Sequence, residues 1–362
     1  MALTYRKEER ILEQKKYKRK NGRSTVYNRI VTPETMEKVN IENEQLKEDF
    51  CEYLRSIDRS SQTIAQYKND LNIFFVWNMQ NNGNKFFVDL KKRDIVRFQS
   101  WCIEIKWSPK RIRRVKATLS SLSNYIENIL DDEYKDFRNI IRKVENPTNE
   151  EVREKTIVTT QDIDEVLEYY TNIEEYEKAC AVAVCAYSGM RRAELLQMKM
   201  SYFNEDHLEF DGALYKTDKV RAKGRGMKGK QINKYVFVAA KPYIEAWRKR
   251  REELGIDIDD MFVTFDVKEH KWEPRKTLER WTKEIGFIIN KDFYWHSLRH
   301  YCCTYLINDF NIPSEVVREF FQWSSADMIS IYNDVKTESK FGDYFTKDGI
   351  KKQSSGDLSL KK

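Results

Sequence analysis

Residues 179–187 read Ala-Cys-Ala-Val-Ala-Val-Cys-Ala-Tyr, apolar on almost every side of a helical wheel, and Ser188-Gly189-Met190-Arg191 follows directly. A helix without a polar face has to be wrapped by other elements, so this one marks the centre of a domain. The glycine breaks it, and Arg191 stands where the next helix starts. An arginine at the break of a buried helix is placed for function rather than for solvation. Arg192 beside it is the competing candidate. Glu194, three residues on from Arg191, could anchor a guanidinium or simply cap the new helix.

The chain ahead of that helix has a different texture. Residues 1–40 form a basic N-terminal arm, with Glu8, Glu9 and Glu13 the only acids in its first thirty positions. It reads either as a solvated terminus or as a tail that tracks nucleic-acid phosphates. From 41 to 147 the periodicity predicts an all-helical domain: Leu46, Phe50, Leu54 and Ile57 on one helix; Ile64, Tyr67, Leu71, Phe74 and Phe75 on a second, capped by Ser60 or Ser61 and stopped at Asn81-Asn82-Gly83; Ile95, Phe98, Trp101 and Ile105 on a third. The fourth is the clearest, with Ser108 as cap, Pro109 at its first position, and Ile112, Val115, Leu119, Leu122, Ile126 and Ile129 at alternating steps of three and four. Its start carries Lys106, Lys110, Arg111, Arg113, Arg114 and Lys116, and no acid intervenes between Ile105 and Glu127. One sign of charge at a helix N-terminus flanked by aromatics predicts phosphate contact.

Residues 148–158 read as a linker, and Thr159 with Asp162 as a capping box opening a domain that runs to 345. Strand-like pieces at His207–Phe210, Ala213–Ala222 and Gln231–Val238 bracket the stretch Lys223-Gly-Arg-Gly-Met-Lys-Gly-Lys230, a hairpin with a mobile basic tip. Helical periodicity is expected from about 241 onward, with a polar tail over 346–362. The net charge of +7 suggests an anionic partner. Nineteen Phe, twenty Tyr and eight Trp argue against disorder despite a mean hydropathy of −0.75. No apolar run approaches a membrane span, and no apolar segment follows the N-terminal basic residues as a secretory signal requires. The six cysteines form no CxxC pair and read as reduced core residues of an intracellular protein.

The reactive residues lie in the C-terminal half. His296 and Arg299 are one helical turn apart and share a face, and Tyr332 follows Trp323 by nine residues across a short polar turn. Two guanidinium forks can clamp the non-bridging oxygens of one phosphate, a histidine and an indole can flank it, and a phenol beside such cations can attack it. The leaving 5′ oxygen needs a proton, which a hairpin lysine can supply: Lys216, Lys219, Lys223, Lys228 or Lys230, with Lys223 preferred because it closes the strand before the glycines. Lys216, Lys219, Arg221 and Arg225 are also candidates for DNA backbone contact. His300, four residues from His296, raises a zinc reading, but Ser297 replaces the glutamate of HExxH, and His207 and His270 lie in unrelated stretches. No metal or cofactor is expected.

Ser188-Gly-Met-Arg191-Arg-Ala-Glu194, Trp295-His296-Ser-Leu-Arg299-His300 and Gln322-Trp323-Ser-Ser-Ala…Ile331-Tyr332 together resemble the three catalytic boxes of the tyrosine recombinase (phage integrase) family, in order. The resemblance covers about 300 residues and implies a mainly α fold with a small β-hairpin or sheet: a helical core-binding domain followed by a mixed α+β catalytic domain. It implies Arg191 and Arg299 as phosphate clamps, His296 and Trp323 as flanking acid/base and hydrogen-bonding groups, a hairpin lysine as general acid, and Tyr332 as nucleophile forming a 3′-phosphotyrosyl bond. Glu194 and His300 would support them. The implied partners are double-stranded DNA carrying recombination sites, three further copies of the chain passing through a Holliday junction, and accessory DNA-bending or directionality factors, in the cytoplasm at the nucleoid. The sequence departs from the family's usual pattern at Met190, at Gln322-Trp323 where Gly-His is frequent, and in its longer hairpin. Tryptophan donates one hydrogen bond and cannot shuttle protons, so Trp323 is expected to orient phosphate. A type IB topoisomerase and a non-catalytic DNA-binding regulator are the rival readings.

Overall fold

The computed structural model describes residues 30–148, 156–222, 224, 229–325 and 327–333, and the backbone of 345–346 and 349–350. It divides into two compact units, each with its own core. The expected N-terminal arm up to residue 29, most of the linker, the hairpin positions Lys223 and Arg225–Lys228, and most of the polar tail lie outside the described residues.

The first unit is helical. After a short turn of helix α1 (Pro33–Met36) come α2 (Ile41–Ser56), α3 (Ser61–Asn81), α4 (Lys92–Glu104) and α5 (Pro109–Ile129). Ser60 and Ser108 cap α3 and α5 by accepting from the backbone N–H of Thr63 and Arg111, and α3 stops where Gly83 takes φ +73°. The helices close on an aromatic centre, where Phe74 and Phe98 meet edge to face at 5.0 Å and Trp77 lies 5.1 Å from Phe98. Ile112, Val115, Leu119, Leu122 and Ile126 are buried in it, whereas Ile57 and Ile129, at the helix ends, stay exposed.

The second unit is mixed. Thr159 and Asp162 form the expected capping box at the start of α6 (Thr160–Asn172), and α7 (Tyr176–Ala186) is the buried central helix, with every residue from Ala179 to Ala186 at most 1% exposed. After α8 (Arg192–Leu195), strands β1 (Leu208–Glu209), β2 (Leu214–Lys216) and β5 (Tyr235–Phe237) form an antiparallel sheet, with Tyr215 opposite Val236. Beyond Thr217 the hairpin continues as a separate two-stranded sheet of β3 (Val220–Ala222) and β4 (Lys230–Ile232). The expected purely helical stretch beyond 241 is interrupted. Between α9 (Lys241–Glu253) and α10 (Glu279–Ile288) runs a second hairpin, β6 (Val263–Asp266) and β7 (Lys271–Pro274), whose turn is set by Asp266 accepting from the N–H of Lys268 and by His270 at φ +49°. Helices α11 (Trp295–Thr304), α12 (Ser314–Phe321) and α13 (Asp327–Tyr332) complete the described unit. All six cysteines are buried and none is in a disulfide, and among the described residues no helix is long and apolar enough to cross a membrane.

Candidate active site

Arg191 owes its position to the end of α7. Ser188 Oγ donates to the Val184 carbonyl at 2.6 Å and accepts from Met190 N–H, while Gly189 turns the chain at φ +57°. Arg191 thereby becomes the N-cap of α8. Its backbone N–H donates to Glu194 Oε2 at 2.9 Å and its Nη1 to Oε1 at 2.8 Å. Glu194 therefore performs both roles open to it in the sequence, capping the helix and anchoring the guanidinium. Arg192 points elsewhere, to Glu279 at 3.1 Å.

Helix α11 supplies His296 and Arg299 on one face. Arg299 is fully buried, and Nη1 donates to the Gly189 carbonyl at 2.7 Å, tying the two boxes together. Its Nε and Nη2 are buried without a hydrogen-bond partner among the described residues. Burial pushes its pKa down, and the nearby Arg191 charge adds to this. Beneath the guanidinium runs a stack of three rings. Phe321 and Trp323 lie 4.4 Å apart and Trp323 and Tyr332 5.1 Å apart, nearly parallel, with Arg299 Cζ 4.7, 5.1 and 5.2 Å from the three centroids. The turn that starts the stack is local: Gln322 takes the left-handed conformation at φ +52° after α12, and Trp323 N–H closes back on the Arg318 carbonyl. The Trp323 indole N–H is buried and unpartnered as well.

Tyr332, 5% exposed at the end of α13, places its hydroxyl 2.9 Å from His296 Nε2. The backbone around it is held by α11 and the π-turn that continues it: Thr304 Oγ1 donates to the Tyr332 carbonyl and Asn308 Nδ2 to Asn333 Oδ1. His300 packs against both reactive rings, 5.5 Å from His296 and 4.8 Å from Tyr332. Partial burial of the ring pushes the His296 pKa down to about 4, and its neighbours His300, Arg299 and Arg191 act in the same direction. The imidazole is therefore neutral near pH 7, although the residue keeps an open edge to solvent. Arg191, His296, Arg299, Trp323 and Tyr332 thus converge on one place from four chain segments. One more residue stands there: Lys234, whose Nζ lies 2.7 Å from Glu194 Oε2. The signal that could have found it is phase: Lys234 falls between Ile232 and Val236, on the inward side of the strand expected over Gln231–Val238.

The phage integrase family model matches residues 156–339, and the phage integrase N-terminal SAM-like domain model matches 46–136. The chain belongs to the phage integrase family, the tyrosine-type site-specific DNA recombinases. It is 28% identical over 323 residues to the SPbeta prophage-derived recombinase-like protein YomM of Bacillus subtilis strain 168, covering 86% of this chain and 90% of that one. The fold of this recombinase is also that of the Tn1549 transposon integrase in complex with circular intermediate DNA (15% identity, TM-score 0.58, 82% and 98% of the two chains) and of the lambda integrase dimer bound to a COC′ core site (13%, 0.58, 88% and 99%).

The cations expected to meet DNA separate by environment. In the helical unit of the recombinase, Lys106, Lys110, Arg113 and Arg114 are exposed, and Arg111 is half-buried, its guanidinium 3.8 Å above the Trp107 ring. Lys116 is a correction: it is 4% exposed, and its ammonium donates to Gln99 Oε1 and to the carbonyls of Val144 and Glu145, which ties down the chain leaving the unit. Its three protons are saturated, so it has none to offer a phosphate. The exposed Lys91, Lys92 and Arg93 at the start of α4 were not singled out by sequence. In the second unit, Lys219 and Arg221 are exposed and Lys216 pairs with Glu209 at 3.2 Å, while Lys223 and Arg225 lie outside the described residues.

Proposed function

We propose that this protein recombines specific DNA sites by cutting and rejoining strands through a covalent bond to Tyr332. What supports the reading most is a set of buried donors without an acceptor among the described residues: Nε and Nη2 of Arg299 and Nε1 of Trp323, stacked against the ring whose hydroxyl meets a neutral histidine. A buried unsatisfied donor costs about 1–3 kcal/mol, so a cluster of them fits a site organised for an oxyanion that arrives with substrate. In the proposed step the Tyr332 oxygen bonds to the scissile phosphorus and its proton passes to His296 Nε2. The P–O5′ bond breaks, and the leaving oxygen takes a proton from a hairpin lysine, for which we favour Lys223. Arg191, Arg299 and Trp323 hold the non-bridging oxygens, with Glu194 and His300 supporting them. The phosphotyrosyl bond conserves the energy of the broken phosphodiester, so a second 5′ hydroxyl can reseal it.

Cations of both units would carry DNA: Lys106, Lys110, Arg111, Arg113 and Arg114 from the first, Lys216, Lys219, Arg221 and Arg225 from the second. Prophage and transposon relatives support a mobile-element role, with four copies exchanging strands on paired duplexes. A nicked suicide duplex from the DNA flanking the protein's own coding sequence tests the chemistry. Wild type should accumulate a covalent adduct and Tyr332→Phe none; an adduct with Tyr332→Phe would mean another nucleophile. Relaxation of arbitrary supercoiled plasmid, without a specific site, would instead indicate a topoisomerase.

A further inference from the structure

Lys234 has so far no part in the reaction. It sits where the two sheets of the first hairpin meet, and its backbone is pinned on both sides: its N–H donates to Thr217 Oγ1 and its carbonyl accepts from Thr217 N–H, each at 2.9 Å. Its side chain is 4% exposed and that of its partner Glu194 1%. A lysine stem this deep cannot swing out to a leaving group without abandoning a buried carboxylate. The two Glu194 oxygens are divided: Oε1 takes Arg191 Nη1, and Oε2 takes both the Arg191 N–H and the Lys234 ammonium. Arg191 is therefore oriented by a carboxylate that Lys234 keeps in place.

The groups facing Glu194 come from every surrounding element: Arg191 at the start of its own helix, Lys234 from the hairpin, His296 and Arg299 from α11, and Cys185 from α7. Burial pushes the Glu194 carboxyl up, and the cations, Lys234 foremost, more than offset it, leaving the group below the usual carboxylate range. We propose that Lys234 is a positioning residue for strand cleavage, holding Glu194 ionised and turned toward Arg191 so that this guanidinium meets the scissile phosphate, without itself touching DNA. The inference rests on the reading of Tyr332 and the two arginines as the cleavage machinery. Without Lys234, Glu194 would take up a proton more readily, and a protonated carboxyl cannot accept on both oxygens equally.

The test is single-turnover adduct formation on the suicide duplex between pH 5 and 9, for wild type, Lys234→Met and Lys234→Arg, with Tyr332→Phe as blank and gel-shift affinity as the check on folding. Lys234→Met should slow cleavage about 100-fold near pH 6 with duplex affinity nearly unchanged, the typical cost of a misplaced reacting group. The deficit should narrow as pH rises and Glu194 ionises unaided. Lys234→Arg, which keeps the charge, should stay within about tenfold of wild type and keep its pH profile. If the methionine variant fails to bind duplex, Lys234→Gln takes its place. A wild-type rate and profile in the uncharged variant would overturn the inference, as would equal, pH-independent losses in both variants. Restoration of the uncharged variant by a sulfur at the leaving position would overturn it too, because it would make Lys234 a proton donor. No adduct from wild type at any pH would bring down the functional reading and this inference with it.

Discussion

A methyl group on Gly189 would lie 2.3 Å from Phe321 Cε1 and 3.1 Å from Cys302 Cβ, on a backbone whose φ of +57° already disfavours side chains. The same residue offers its carbonyl to Arg299. Gly189→Ala is expected to cost about 2–4 kcal/mol, from overpacking and left-handed strain together, and to abolish adduct formation. Thermal melts and the suicide substrate check both. His296 makes a prediction in pH. Its folded pKa lies below its unfolded value, so the unfolded chain binds the proton first; this residue's contribution to stability is present above pH 6.5 and falls as pH drops toward about 4. As the acceptor of the tyrosyl proton it should remain competent from pH 8 down to about 5, and cleavage should show no acid limb near the pKa of a free imidazole. A limb near 6.5 in single-turnover rates would contradict that environment.

At the scale of elements, the basic start of α5 shows what covalent spacing can and cannot tell. The lack of acids between Ile105 and Glu127 marked it for phosphate, and most of its cations are exposed. Lys116 is four residues past the buried Ile112 and next to the buried Val115, so periodicity alone already puts it near the core. Lys116→Met is expected to destabilise the helical unit by about 1–3 kcal/mol through the lost tether while leaving the salt dependence of DNA binding unchanged. Lys110→Ala should instead flatten the log–log salt slope by about 1, without lowering the melting temperature appreciably. The three boxes were legible because each is short and local: a glycine break, one helical turn, a polar turn into a helix. Lys234 was not, because its meaning lies in a pairing across some forty residues with Glu194, and a lysine in a Lys-rich hairpin reads as surface. The hairpin of β6 and β7 was hidden for another reason: its four-residue strands are too short for alternation to compete with the helical pattern on either side.

At the scale of the whole molecule, the helical unit and the mixed unit each close an aromatic or apolar centre of their own, so composition and periodicity were enough to separate them. What sequence could not convey is that the second unit carries a charged interior. Arg299, Lys234, Glu194 and the neighbouring Arg191 place more positive than negative charge where solvent hardly reaches. Such an interior favours negative charge, and small tetrahedral or trigonal-bipyramidal anions should bind there in the absence of DNA. Orthovanadate or sulfate is therefore expected to raise the melting temperature of the free protein, each tenfold increase above the dissociation constant adding about 1.4 kcal/mol. The gain should vanish in Arg299→Gln, and common buffers should differ in how well they preserve this protein on the bench.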